Sequence, residues 1–236
     1  MIASELIQEL IWDSTFFNKK IGKVTVQNKE QVVALQKDTV TQAFELIYVF
    51  SDRPLSKDLL GAPLNTKVLY RRDLSMADLP RLSDDVTIYQ QEGLIEGLFD
   101  LAYQAGHYSR FWLDANFSET AFKKLYQQWM KKSLQPTSTI FVVPNVKDLQ
   151  GMVTLDSKEN FTQIGLIGVD KKARGQRYGK KLVDACFHHT IKKGLPYLDV
   201  YTQAENVGAC HFYEACQFQE VSKTYIYHFW TNEDTI

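Results

Sequence analysis

Residues 164–182 read IGLIGVDKKARGQRYGKKL, and the fold is decided there. Ile164-Gly165-Leu166-Ile167-Gly168-Val169 is an apolar run of the length of a buried strand. A basic turn follows, Arg174-Gly175-Gln176-Arg177-Tyr178-Gly179-Lys180. From Tyr178 onward, apolar residues recur at helical spacing through Leu182, Val183, Cys186, Phe187, Thr190 and Ile191. Strand, turn and helix in that order aim several backbone N–H groups at one point, and the helix start adds roughly half a positive charge. Arg174, Arg177 and Lys180 add full charges. Such a site suits a pyrophosphate; a basic turn ahead of an ordinary surface helix is the plainer alternative.

Two common phosphate-binding turns are disfavoured by what is missing. A P-loop needs a Gly-Lys-Ser/Thr ending, which this turn lacks. The dinucleotide fingerprint opens the first βα unit and is followed by an acidic residue about 20 positions on. This turn lies late in the chain, has another glycine spacing and carries cations inside it.

Downstream, Tyr197-Leu198-Asp199-Val200-Tyr201-Thr202 reads as a second strand, followed by Asn206, Ala209, Phe212, Tyr213 and Phe218. The two segments together resemble the GCN5-related N-acetyltransferases. In that family a Gln/Arg-x-x-Gly-x-Gly/Ala turn grips the coenzyme A pyrophosphate, and an Asn-x-x-Ala-x-x-x-Tyr-x-x-x-Gly-Phe pattern closes the site. Arg174 and Gly179 hold the outer turn positions. Arg177 stands where the middle glycine is commonest, and Gln217 where the second pattern has glycine. The resemblance implies an α/β (α+β) fold with a mixed central sheet and flanking helices. It implies acetyl-CoA as co-substrate, held by the backbone of Leu166, Ile167, Gly168 and Val169, by Arg174, Gly175, Gln176, Arg177, Tyr178, Gly179 and Lys180, and by Asn206. It implies Tyr213 as the acid beside the coenzyme sulfur. Asn206 also suits a helix start, where it caps free N–H groups. Phe218 is expected to open a final strand pair whose partner is Thr224–Trp230.

Hydrophobic content of 44% with 23% charged residues is ordinary for a soluble globular protein. A net charge of −1 gives no global field for nucleic acid or an anionic membrane. No apolar stretch reaches membrane-spanning length, and the first residues, MIASELIQELIWD, carry acids where a signal peptide has a basic start. Cys186, Cys210 and Cys216 lack metal-ligand spacing, so packed, reduced thiols in a cytoplasmic protein are expected, with no metal.

Two domains are expected. The boundary signal is RRDLSMADLPRLSDD, residues 71–85, which is charged, contains a proline and has few large apolar residues. Residues 1–80 read as a small α+β domain: a hairpin of Leu10–Trp12 with Ile21–Val26, a helix over 29–41, and strands over 43–50 and 66–70. Residues 84–236 read as the acetyltransferase domain. It starts with a strand at Val86–Tyr89, helices over 92–105 and 118–134 (the latter opened by Ser118), and a hairpin of Thr139–Val143 with Gly151–Leu155.

Leu10-Ile11-Trp12-Asp13-Ser14-Thr15-Phe16-Phe17 and Gly106-His107-Tyr108-Ser109-Arg110-Phe111 are similar to segments of the dTDP-fucosamine acetyltransferases, a two-domain branch of the superfamily. That likeness implies a nucleotide-linked amino sugar as acceptor, bound by Ser109, Arg110 and Phe111. Arg110 would take a phosphate bidentately, and Phe111 and Trp112 would wall a sugar or base. Packing is the alternative reading for Trp12, Phe16 and Phe17, and an exposed helix-end loop for Ser109–Phe111. His107, His188 and His189 carry no assigned role, and a homodimer is compatible with all of this. The strand Ile164–Val169 contains no carboxylate to act as base, and Asp170 lies close to the phosphate turn. A lysine amine would cost roughly 4.6 kcal/mol to deprotonate at pH 7, so a less basic sugar amine suits such a strand better. A protein N-terminus or a polyamine is the rival acceptor, and a coenzyme A-binding module without turnover the rival of another class.

Overall fold

The computed structural model describes residues 7–231. By internal packing the chain divides into residues 7–68 with 222–231, and Leu69–Val221. The division thus falls just before the charged stretch read as a linker, and residues 222–231 pack with residues 7–68. Sequence patterns report local periodicity and carry no signal for a partner about 180 positions away.

In the first unit, β1 (Gln8–Glu9) pairs antiparallel with β2 (Ile21–Thr25), and β2 runs parallel to β3 (Leu46–Ser51). β3 pairs antiparallel with Tyr225–Trp230. The helices are α1 (Ile11–Phe17), α2 (Lys29–Lys37) and α3 (Lys57–Leu60). Asn28 opens α2 by accepting a hydrogen bond from the Gln31 N–H. Val24, Val32, Leu35, Ile47, Val49 and Tyr227 form the core.

Two expectations for the first unit and its last strand need correction. Leu10–Trp12 is not a hairpin strand: the strand is Gln8–Glu9, and Ile11 begins a helix. The Trp12 and Phe16 rings stack at 4.9 Å, the contact that i,i+4 spacing makes on a helix and cannot make in a strand. Asn18 then ends α1 in the left-handed conformation. The final strand pair is instead one continuous strand, Gln219–Trp230, because the sequence between Phe218 and Tyr225 offers no glycine, proline or asparagine to turn on.

In the second unit the strands are β4 (Asn65–Asp73, continuing from the first unit), β5 (Thr87–Ile88), β6 (Ser138–Pro144), β7 (Leu149–Ser157), β8 (Thr162–Val169) and β9 (Tyr197–Gln203). The sheet order is β4-β9-β8-β7-β6-β5, with β8 and β9 parallel and β5 to β8 antiparallel. The helices are α4 (Glu96–Ala105), α5 (Arg110–Leu113), α6 (Glu119–Lys132), α7 (Tyr178–Lys192) and α8 (Val207–Ala215). Ser118 caps α6 as its sequence requires, accepting from the Ala121 N–H. β10 is the strand Gln219–Trp230.

α7 packs along β6 to β9, while α4 packs on β7 and β8 with α6 against it. β8 touches both helices by changing face. Thr162 hydrogen-bonds Thr190 of α7, yet a Cβ on Gly168 would meet the Leu101 carbonyl of α4 at 2.7 Å. Residues six apart share a face in a regular strand, so one extra residue lies between them.

Candidate functional site

That extra residue builds the site. Val153 pairs with Ile167 and Leu155 with Ile164, so Gly165 and Leu166 of β8 stand opposite Thr154 alone. Such a bulge bends the strand that carries it. Thr162, Gln163 and Ile164 pair with Leu198, Asp199 and Val200 of β9. Past Ile164 this ladder stops, while β8 stays paired with β7 to Val169 and β9 continues to Gln203. A gap therefore opens between two neighbouring parallel strands.

The N–H groups that face the gap follow from two hydrogen bonds. The Leu166 N–H donates to Thr154 Oγ1 at 2.8 Å, and the Asp170 N–H to the Gln150 carbonyl at 2.8 Å. Both point toward β7. N–H groups alternate along an extended strand, so those of Ile167 and Val169 point the other way, where β9 has departed.

At the end of β8 the chain turns onto α7. Asp170 accepts a hydrogen bond from the Lys172 N–H, which holds its carboxyl below the usual range, and buried Ala173 anchors the turn. Arg174, Gly175, Gln176 and Arg177 are exposed. Gly175 has φ +83° with open space around it. Arg177 takes the N-cap of α7 at φ +61°, and its side chain caps nothing. The first N–H groups of a 15-residue helix are thus left without a side-chain acceptor, beside two arginines. Lys180 is partly neutralised by an ion pair with Asp184 one turn on. Tyr178 is half-buried under the Lys181 amine. A Cβ on Gly179 would meet the Phe212 ring at 3.2 Å, so this glycine sets the contact of α7 with α8. These residues fit a pyrophosphate, with an open glycine turn, uncapped N–H groups and cations together.

α8 begins at Asn206, whose Oδ1 accepts from the Ala209 N–H at 3.2 Å. Tyr213 is 3% exposed, with the Phe218 ring at 5.6 Å and the Tyr70 ring at 6.0 Å. Burial pushes its phenol well above the usual value. Tyr70 in turn donates to Glu214 at 3.1 Å. Gln217, just past α8, has φ +64°. Both positions where the chain replaces a family glycine, Arg177 and Gln217, therefore keep the left-handed backbone that glycine favours.

Ser109 and Phe111 are buried. Phe111 lies between Phe117 and Trp129, at 5.7 and 6.0 Å, and the Arg110 guanidinium sits 4.6 Å above the Phe111 ring. This segment is a packed turn and short helix, in place of the exposed loop expected as its alternative. Trp112 is exposed, with the His107 ring at 4.8 Å. His107 is held below its usual pKa, first by burial and then by the Lys171 charge. Phe111, Trp112, Phe117, Ser118, Glu119 and Phe122 line a cavity of about 180 Å³. Gln104, near the end of α4, lies 3.4 Å from Asp170, so the chain enters this segment beside the phosphate turn. His188 meets the Pro80 carbonyl at 3.2 Å and His189 faces Phe141, both as packing contacts.

Thr154 and Gly165 are the residues sequence reading missed. Their signals were a hydroxyl inside the apolar strand Met152-Val153-Thr154-Leu155 and a glycine inside the run 164–169. Among the described residues no group of three or more His, Cys, Asp or Glu side chains could hold a metal, and no helix is long and apolar enough to cross a membrane.

The sequence profile of the acetyltransferase (GNAT) family matches residues 95–218, more than half of the chain. The chain belongs to the acetyltransferase (GNAT) family. It is therefore an acyltransferase, and acetyl-CoA is the co-substrate of its family. Solved structures agree on the fold. A GCN5-related N-acetyltransferase from Sphaerobacter thermophilus is 13% identical with a TM-score of 0.55, over 89% of this chain and 73% of that one. A GNAT-family acetyltransferase from Colwellia psychrerythraea is 13% identical at 0.54, over 85% and 71%. A GCN5-related N-acetyltransferase from Kribbella flavida is 12% identical at 0.53, over 91% and 83%. A search of curated proteins gives no match. The gap beside β8 and the open turn before α7 are thus features of a GNAT acetyltransferase.

Proposed function

We propose that this acetyltransferase moves the acetyl group of acetyl-CoA to the amine of a nucleotide-linked amino sugar, by direct attack in a ternary complex. The observation that carries the coenzyme half is the loss of the β8–β9 ladder past Ile164, with the open glycine turn at the same end of β8. In this reading the first N–H groups of α7, with Arg174 and Arg177, hold the pyrophosphate. The pantetheine arm lies in the gap, and the Ile167 N–H donates to the thioester carbonyl as negative charge develops there. The Leu166 N–H is already engaged by Thr154 and takes no part.

Tyr213 is assigned by its place in the motif. A phenol at its ordinary value of about 10 already gives up a proton less readily than a thiol at about 8.5. Burial widens the difference, so Tyr213 acts as a fixed hydrogen-bond donor to the leaving sulfur and keeps its proton. No carboxylate lies on β8, so the acceptor amine must be one of low basicity or reach water. The acceptor reading rests on this and on the segment Ser109-Arg110-Phe111. Exposed Trp112 offers a flat ring for a sugar or base, beside a cavity where Ser118 and Glu119 add polar groups. In this reading residues 84–236 carry the transfer and residues 1–80 form an accessory domain.

The test is a panel of dTDP- and UDP-amino sugars, free amino sugars, polyamines and short peptides, each with acetyl-CoA and a thiol-release readout. Turnover of nucleotide sugars well above the free sugars is the expected result. Turnover of peptides or polyamines alone overturns the acceptor. Coenzyme binding by calorimetry with no release for any amine would make the chain a binding module.

A further inference from the structure

Thr154 is a polar side chain in the middle of a buried apolar strand, and it is 1% exposed. It faces the point where β8 holds one residue too many. At a bulge the ladder lacks a carbonyl in register for one N–H, and a buried N–H without an acceptor is costly. Here Thr154 Oγ1 supplies that acceptor for Leu166, at 2.8 Å. Gly165 makes room for it: a Cβ at that position would sit 2.7 Å from the same Oγ1. Hydroxyl and glycine are matched parts of one device.

We infer that Thr154 is a positioning residue for acetyl transfer: by tying the Leu166 N–H toward β7, it aims the Ile167 N–H into the gap where the thioester carbonyl binds. This rests on the coenzyme reading given above. With the tie removed, the bulge is free to slide by one residue, which turns the Ile167 N–H toward β7 and leaves the pairing beyond it unchanged. The pyrophosphate site, which begins beyond Asp170, does not depend on the tie.

The consequence separates two ligands. Coenzyme A lacks the acetyl carbonyl and acetyl-CoA has it, so mis-aiming the Ile167 N–H affects only the second. The experiment measures kcat, and the affinity of both ligands by calorimetry, in the wild-type chain and in Thr154→Val, Thr154→Ser and Gly165→Ala. Thr154→Val keeps the shape and removes the hydroxyl. It should lower kcat about tenfold or more and abolish any preference for acetyl-CoA over coenzyme A, with coenzyme A affinity unchanged. Thr154→Ser restores the acceptor and should return both quantities close to wild type. Gly165→Ala, which pushes the hydroxyl away without removing it, should behave like Thr154→Val.

A residue that merely supports the fold would lower coenzyme A affinity and melting temperature together, and serine would not rescue kcat selectively. Wild-type kcat in a folded Thr154→Val protein overturns the inference. If Thr154→Val does not fold, Gly165→Ala against Thr154→Ser decides the matter in the same way. Failure of the wild-type chain to bind coenzyme A would overturn the coenzyme reading itself, a distinct outcome.

Discussion

The two halves of β8 have the same apolar character and opposite fates. Thr162–Ile164 are locked into a parallel ladder with β9, whereas Gly165–Val169 keep only β7 and face an opening. Hydrophobicity does not distinguish them. The difference is one inserted residue, held by one threonine hydroxyl and admitted by one glycine. An opening lined by backbone donors therefore need not be built from polar side chains. It arises where a ladder is interrupted and the freed N–H groups are left for a ligand.

Removing the interruption should have the largest effect. Deleting Leu166 makes β8 regular against β7, so the bend that turns Gly165–Val169 away from β9 is lost. Thiol release should fall to background, checked in a protein whose circular dichroism shows retained fold. Normal activity in that deletion would mean the bulge is irrelevant to catalysis.

Tyr213→Phe sharpens the comparison, because it leaves the gap intact and removes a donor. Turnover should drop by the equivalent of about 2 to 4 kcal/mol of transition-state stabilisation, with coenzyme affinity nearly unchanged. The rate should show no basic limb from Tyr213 below about pH 10, since burial raises its phenol above that ordinary value.

Two smaller effects come from the left-handed residues. Gln217→Gly and Arg177→Gly should each stabilise the fold by about 1 kcal/mol, because L side chains strain at positive φ. Melting curves would show both gains. Only Arg177→Gly should also weaken acetyl-CoA binding, which calorimetry would show. Loss of affinity in both variants would break the assignment of the turn as the phosphate site.

The smallest effect is on acid stability. His189 is held below its ordinary pKa, first by burial and then by the Lys193 and His188 charges, with the ring facing Phe141. The unfolded chain then binds the proton more readily than the folded one. Stability is full above the ordinary value of about 6.5 and declines as pH falls below it. His189→Phe should flatten that decline in melting temperature; an unchanged slope would show that His189 does not contribute.

Much of this was legible in the sequence because it is local. The turn at Arg174–Lys180, the caps Ser118 and Asn206, and the run of strands from β6 to β9 follow from short patterns. What was missed depends on distant partners or on counting. The pairing of Tyr225–Trp230 with β3 joins segments about 180 positions apart. The bulge is a difference of one residue between two strands, invisible until their register is known. In α1, the i,i+4 pair Trp12 and Phe16 was a helical signal that the apolar triplet Leu10–Trp12 obscured. That Phe111 packs between Phe117 and Trp129 is likewise announced by nothing in its immediate sequence.

The most direct test follows backbone amides by nuclear magnetic resonance in deuterated, nitrogen-15-labelled protein, titrated first with coenzyme A and then with acetyl-CoA. Amides of residues 174–180 should move with both ligands. The Ile167 amide should shift only with acetyl-CoA, and the Leu166 amide, held by Thr154, should stay in place with either. Saturation with acetyl-CoA that moves neither the turn nor Ile167 would contradict the account.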